Sequence, residues 1–254
     1  MKPSERISAA IQAAPGKTAI VAFITAGYPS RAKFREHLAQ VGNAADVVEI
    51  GVPFTDPMAD GVTIQRSSRE ALAQGFTLRW LLGELAGMQR PKAPLILMSY
   101  LNPLMAYGFE ALAADSAKAG VCGFIVPDLP YDEGEDFRAA LESQGLGVIQ
   151  MVTPVTKPER MAKLCAASQG FVYAVSMTGT TGRNASVPTE VASYLDKVSA
   201  TAKIPVCAGF GIRSREQVKQ LEGHVAGVIV GSALVEVLES GKDPTEFLNS
   251  LRPS

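Results

Sequence analysis

Eight short, nearly unbroken apolar runs recur along this chain, each followed by a loop and a stretch with helical spacing. They are Ala19–Thr25, Val47–Ile50, Leu95–Tyr100, Val121–Val126, Val148–Val152, Phe171–Ser176, Ile204–Ala208 and Val225–Val230. A strand with one wet face alternates apolar and polar residues. A strand that is apolar throughout is covered on both faces, which is the mark of a parallel sheet. Parallel neighbours need crossovers, and the helical stretches supply them. Helices are expected over about 3–14, 30–41, 63–74, 77–89, 103–118, 132–143, 157–167 and 188–200, with short ones after Ser214 and Ser232. Ser30 and Thr77 read as N-caps. The fold class is therefore α/β. Eight units in 254 residues predict one domain, a single (β/α)8 TIM barrel over residues 1–254 with an extra N-terminal helix covering its bottom and extra short helices. An open doubly wound sheet is the competing arrangement, and the count of eight complete units favours the closed barrel.

Charge selects no partner: the formal net charge is −1, with neither a basic patch for nucleic acid nor an acidic tail. No stretch reaches the ~18 apolar residues of a membrane helix, and the opening Met1-Lys2-Pro3-Ser4-Glu5-Arg6 leads into an amphipathic segment without a secretory apolar region. Cys122, Cys165 and Cys207 are scattered among apolar residues and read as buried thiols in a reducing, cytoplasmic setting. His37 and His224 are the only histidines and Cys-x-x-Cys is absent, so no metal is expected.

The chemistry should lie at the C-terminal ends of the strands. There the run Val47-Val48-Glu49-Ile50 stands out, because Glu49 interrupts it. A carboxylate inside an apolar strand is costly unless it has partners or a proton to exchange. A proline-stiffened loop follows, carrying Pro53, Asp56, Pro57 and Asp60. No lysine lies in a strand or at its immediate end, which disfavours a Schiff base. Proton transfer is left to Glu49 with Asp60, with Tyr173 as an assistant. Phe23, Ile64, Met98, Tyr100 and Tyr173 would line a flat apolar slot nearby. Gly209-Phe210-Gly211 and Gly231-Ser232-Ala233, after the seventh and eighth strands, sit where this fold commonly binds phosphate on backbone amides and a helix N-terminus. The Gly179-Thr180-Thr181-Gly182 loop has the glycine hinges of a lid, and Arg183 beside it reads as solvated.

These motifs together resemble the tryptophan synthase alpha chain family. The resemblance rests on the run from Val47 to Gln65, and on Phe23-Ile24-Thr25-Ala26-Gly27, Tyr100-Leu101-Asn102-Pro103, Val126-Pro127-Asp128-Leu129-Pro130, Gly179–Gly182, Ala208–Gly211 and Val230–Ala233, all in order along the chain. It implies a barrel lyase that cleaves indole-3-glycerol phosphate to indole and glyceraldehyde 3-phosphate in tryptophan biosynthesis. Glu49 and Asp60 would be catalytic. Phe23, Ile64, Tyr100 and Tyr173 would lie near the indole, and Gly182, Gly211, Gly231 and Ser232 near the phosphate. Pro53 and Asp56 would face a beta chain, as an α2β2 assembly, and that partner rather than this chain would carry pyridoxal phosphate. The loop reads Gly-Thr-Thr-Gly where the family pattern has Gly-Val-Thr-Gly, and Ala226 stands where an Asp is common; both bear on lid dynamics and packing. A free-standing indole-releasing lyase and a weakly active docking subunit are the alternatives.

Overall fold

The computed structural model describes residues 1–16, 18–175, 188–209 and 211–252. Its strands are β1 (Ala19–Thr25), β2 (Val47–Gly51), β3 (Leu95–Met98), β4 (Val121–Ile125), β5 (Gly147–Val148), β6 (Gln150–Val152), β7 (Val172–Val175), β8 (Val206–Gly209) and β9 (Gly227–Val230). All pair in parallel, in the order β5-β4-β3-β2-β1-β9-β8-β7-β6. The two ends of that order are halves of one passage of the chain, joined at Ile149. Ile149 N–H still donates to the Phe124 carbonyl at 2.9 Å, and the next residue begins the ladder with β7. The ring closes there, as a parallel barrel with helices outside.

The expected fifth strand is thus two pieces, because it changes partners in mid-course. The expected helix over 103–118 is also two, Leu101–Tyr107 and Phe109–Lys118. Gly108 between them has φ +89°, a conformation that cannot continue an α-helix. Ser30 makes no capping hydrogen bond; a 3-10 turn, Arg31–Lys33, intervenes before helix Phe34–Ala44. Thr77 does cap, its hydroxyl oxygen accepting from Trp80 N–H at 3.0 Å.

Alternation of the strands produces two cores. Ile20, Val48, Leu97, Phe124, Val172, Val206 and Val228 point outward against the helices. Val21, Val47, Ile96, Ile149, Cys207 and Ile229 point inward. Cys122 is the extra residue of a bulge, since Leu95 pairs with Val121 but Ile96 with Gly123. Helix Pro3–Gln12 closes the lower end as expected, sending Ile7 and Ile11 into the inner core. At Gly123 and Gly170 a Cβ would stand 3.1–3.2 Å from Ile7 side-chain atoms, so both glycines let this helix seat. At the same end Asp46, before β2, accepts from Ile20 N–H at 2.7 Å and from Arg252 at 3.0 and 3.2 Å, clasping the last helix to the barrel.

Candidate active site

The residues expected to carry chemistry meet at the upper end of the barrel. Phe23 and Glu49 are register partners on β1 and β2. Glu49 is 1% exposed and its Oε2 has no hydrogen-bond partner among the described residues. Loss of hydration, with the negative charge of Asp60 added, pushes its carboxyl up to about 8. It therefore holds a proton at neutral pH.

Asp60 sits in the loop after β2 that sequence marked as proline-stiffened. Turn bonds hold this loop, from Met58 N–H to Asp56 O at 2.9 Å and from Asp60 N–H to Pro57 O at 3.1 Å. The Gln65 amide reaches back to Asp60 O at 2.8 Å. Partial burial raises the Asp60 carboxyl to about 6, and a hydrogen bond with the Tyr100 hydroxyl holds it from rising further. Tyr100, at the end of β3, also accepts from Ala59 N–H at 2.8 Å and stacks on Phe54 with centroids 5.2 Å apart. Pro53 is buried in the same loop, while Asp56 is exposed and takes a 2.5 Å hydrogen bond from Thr55.

The apolar slot is present. Phe23 clusters with Tyr28, Ala71 and Val235, and Ile64 and Met98 pack against them. Ile64 is placed by a short relay: the Ser67 hydroxyl donates to Ile64 O at 2.9 Å, which leaves Thr25 as donor in the 2.6 Å Thr25–Ser67 bond. Tyr173 on β7 faces inward, and burial with the charges of Glu49 and Asp60 drives its hydroxyl well above the usual phenol range. The space for these rings comes from two glycines at strand ends, one of them in the Gly209-Phe210-Gly211 run expected to bind phosphate. A Cβ on Gly51 would lie 2.4 Å from the Phe23 ring, and one on Gly209 2.8 Å from the Tyr173 ring. The signal was there, since glycine inside a strand marks close approach. Cys207 was read only as a buried hydrophobe. It lies on β8 beside Tyr173, and its thiol is pushed up by burial and by Glu49.

At the other end of the slot, Gly231 caps helix Ser232–Glu239, whose first residue is Ser232. The Gly231 Cβ position is 3.9 Å from the Phe23 Cβ, so this helix N-terminus adjoins the aromatic ring. Gly211 has φ +68°, and apart from its chain neighbours no described residue comes within 4 Å of its Cβ position. Arg213 is held by Glu236 of helix Ser232–Glu239 at 2.7 and 2.9 Å, which fixes the loop after β8 against that helix. Gly182, the 179–182 loop, Arg183, Ser176 and Phe210 lie outside the described residues. Asp128, another strand-end carboxylate, accepts from Leu101 N–H at 2.9 Å and braces a loop. Among the described residues no His, Cys, Asp and Glu cluster could hold a metal ion, and no helix is long and apolar enough to cross a membrane.

Fold and mouth define a class: a (β/α)8 barrel with a proton-bearing carboxyl group and a second carboxylate beside an apolar slot. Comparison with known proteins narrows the class. The model of the tryptophan synthase alpha chain family matches residues 10–251. The tryptophan synthase alpha chain of Nitratidesulfovibrio vulgaris is 44% identical over 93% of each chain, and that of Desulfovibrio desulfuricans 43% over 96% of each. Tryptophan synthase from M. tuberculosis superposes with a TM-score of 0.87 at 33% identity, covering 99% of this chain and 97% of that one. Tryptophan synthase subunit alpha from Legionella pneumophila gives 0.86 at 32%, covering 99% and 97%. The chain belongs to the tryptophan synthase alpha chain family. The reaction of that family is cleavage of indole-3-glycerol phosphate, and its partner is a beta chain that carries the pyridoxal phosphate.

Proposed function

We propose that Glu49 and Asp60 carry out the cleavage of indole-3-glycerol phosphate in this chain. One observation carries the assignment: Glu49 is a protonated carboxyl group with an unpaired oxygen, buried beside the charge of Asp60. Indole leaves poorly as a carbanion. Glu49 gives its proton to indole C3, and the ring becomes an indoleninium whose N–H the ionised Asp60 stabilises. The Glu49 carboxylate then takes the proton of the side-chain hydroxyl. The C3–carbon bond breaks, its electron pair neutralises the ring, and indole and glyceraldehyde 3-phosphate part with Glu49 reprotonated. Two carboxyl groups with separated proton affinities suit these divided roles.

Phe23, Ile64, Tyr100 and Tyr173 flank the indole in this reading, and Gly182, Gly211, Gly231 and Ser232 receive the phosphate. The Ser232 end of its helix offers free N–H groups and a positive dipole. The loop of Pro53 and Asp56 faces the beta chain in an α2β2 complex, presenting Asp56 and 82%-exposed Met58 over a buried Pro53. The whole of 1–254 works as one domain in the cytoplasm.

The test is release of glyceraldehyde 3-phosphate by the purified chain, with and without a beta chain. Slow release that rises sharply with the partner is expected. Fast release by the chain alone indicates a free-standing lyase, and full activity of Glu49→Gln or Asp60→Asn removes that residue from the mechanism.

A further inference from the structure

The break at Ile149 leaves more than a change of partners. The last rung between β4 and β5 is Phe124 with Val148. Beyond it β6 follows β7 and parts from β4. A cavity of about 250 Å³ fills the gap, bounded above by the 126–131 loop and outside by helices Glu135–Glu142 and Pro158–Ala167. It is separate from the carboxylates of the barrel mouth, and none of Phe23, Glu49, Asp60 or Tyr173 lines it.

Its walls are Leu129, Phe137, Val148 and Leu164, an apolar enclosure suited to a flat ring. One polar side chain enters from the barrel wall. Gln150 is 8% exposed; its backbone N–H is taken by Ser168 at 2.9 Å, and no hydrogen bond links its carboxamide to another described residue. The carboxamide lines the cavity and can exchange hydrogen bonds with a molecule inside it. The remaining lining charges are Asp128, Arg138 and Arg160. Asp128 is committed in part to Leu101 N–H. Arg160 shares the single carboxylate of Asp132 with Lys163, and Arg138 donates to the Tyr131 carbonyl while lying 4.1 Å above the Tyr131 ring. The mouth thus carries more positive than negative charge.

We propose that this cavity is a second binding site, for a small aromatic carboxylate whose ring lies among the apolar walls and whose anion meets Gln150 and the guanidinium groups. An apolar pocket with a few convergent polar groups is the usual form of such a site. The site needs neither the lyase machinery nor the partner chain.

The probe is benzoate, titrated into the full chain and followed by calorimetry and by ligand-observed magnetic resonance, with benzamide as the neutral isostere. Saturable binding is expected in the range of about 0.1–10 mM, as befits so small a ligand. Glycerol 3-phosphate should not compete with it. Gln150→Leu, which keeps the volume, should weaken binding about fivefold or more, the worth of one lost hydrogen bond, with lyase activity reporting that the variant is folded. Arg160→Gln should weaken benzoate and leave benzamide unchanged. Absence of saturable binding, competition by glycerol 3-phosphate, or benzoate affinity unchanged from the unaltered chain in Gln150→Leu or Arg160→Gln would each overturn the assignment.

Discussion

The hydroxyl of Tyr100 accepts a hydrogen bond from the backbone N–H of Ala59 at 2.8 Å, across 41 positions of sequence. The end of β3 is thereby tied to the loop of Asp60, with the Phe54–Tyr100 stack as its second attachment. Tyr100→Phe keeps the stack and removes both the tie and the hydroxyl's hydrogen bond to the Asp60 carboxylate. Hydrogen bonds to charged groups are worth about 1.5–3 kcal/mol, so kcat should fall roughly ten- to a hundredfold. The hydroxyl's own hydrogen bond to Asp60 holds that carboxyl down, so with it gone the acid limb of the pH–rate profile should move to higher pH. An unmoved limb would show that Tyr100 does not act on Asp60.

The two carboxyl groups set the pH range of activity. Asp60, at about 6, must be ionised, and Glu49, at about 8, must be protonated. Activity should fall as pH drops through the first value and as it rises through the second. A profile of kcat/KM against pH, which reports the free enzyme, should be bell-shaped around neutrality. Asp60→Asn, measured where any rate remains, should lack the acid limb.

Glu49→Gln should abolish cleavage and stabilise the fold. The folded protein holds the Glu49 proton up to about pH 8, whereas the unfolded chain releases it near 4.5. The contribution of this proton to stability is therefore complete below about pH 4.5 and is lost as pH rises to about 8. Glutamine has no such loss. The advantage of the variant should grow through that window and reach about 2–4 kcal/mol at its upper end. Chemical denaturation at pH 5 and pH 8 measures it, and equal advantages at the two values would contradict the buried-proton account.

The Phe23 ring occupies space that only glycine leaves at position 51. Gly51→Ala should displace that ring, with a cost of about 1–3 kcal/mol as for other overpacked sites. KM for indole-3-glycerol phosphate should rise. Phe23→Leu in the same chain should restore stability without restoring KM, and thermal melts with steady-state kinetics separate the two effects.

At the opposite end of the barrel, Arg252→Ala strips a 9%-exposed Asp46 side chain of its cation. Loss of one partner from a largely buried pair should cost about 1–3 kcal/mol. That lowers Tm by about 2–4 °C per kcal/mol in a chain of this size. The kcat of the folded variant should not change, because the clasp lies far from the mouth.

Local chemistry in the sequence was enough to reveal much of this protein. Strands apolar on both faces can only be covered strands, so eight of them with crossovers imply the parallel barrel. Glu49 was conspicuous because a carboxyl group in such a strand needs a reason. Thr77 announced its cap for the same kind of local cause. Tertiary structure decided what depends on residues distant in sequence. Only the folded barrel lays the Phe23 and Tyr173 rings over Gly51 and Gly209, which makes those glycines ring seats. Ring closure split Val148–Val152 at Ile149, and its geometry opened the cavity beside Gln150. Proton affinity is likewise a tertiary property. Burial and mutual charge separate Glu49 from Asp60, and neither exists until the barrel has folded around them.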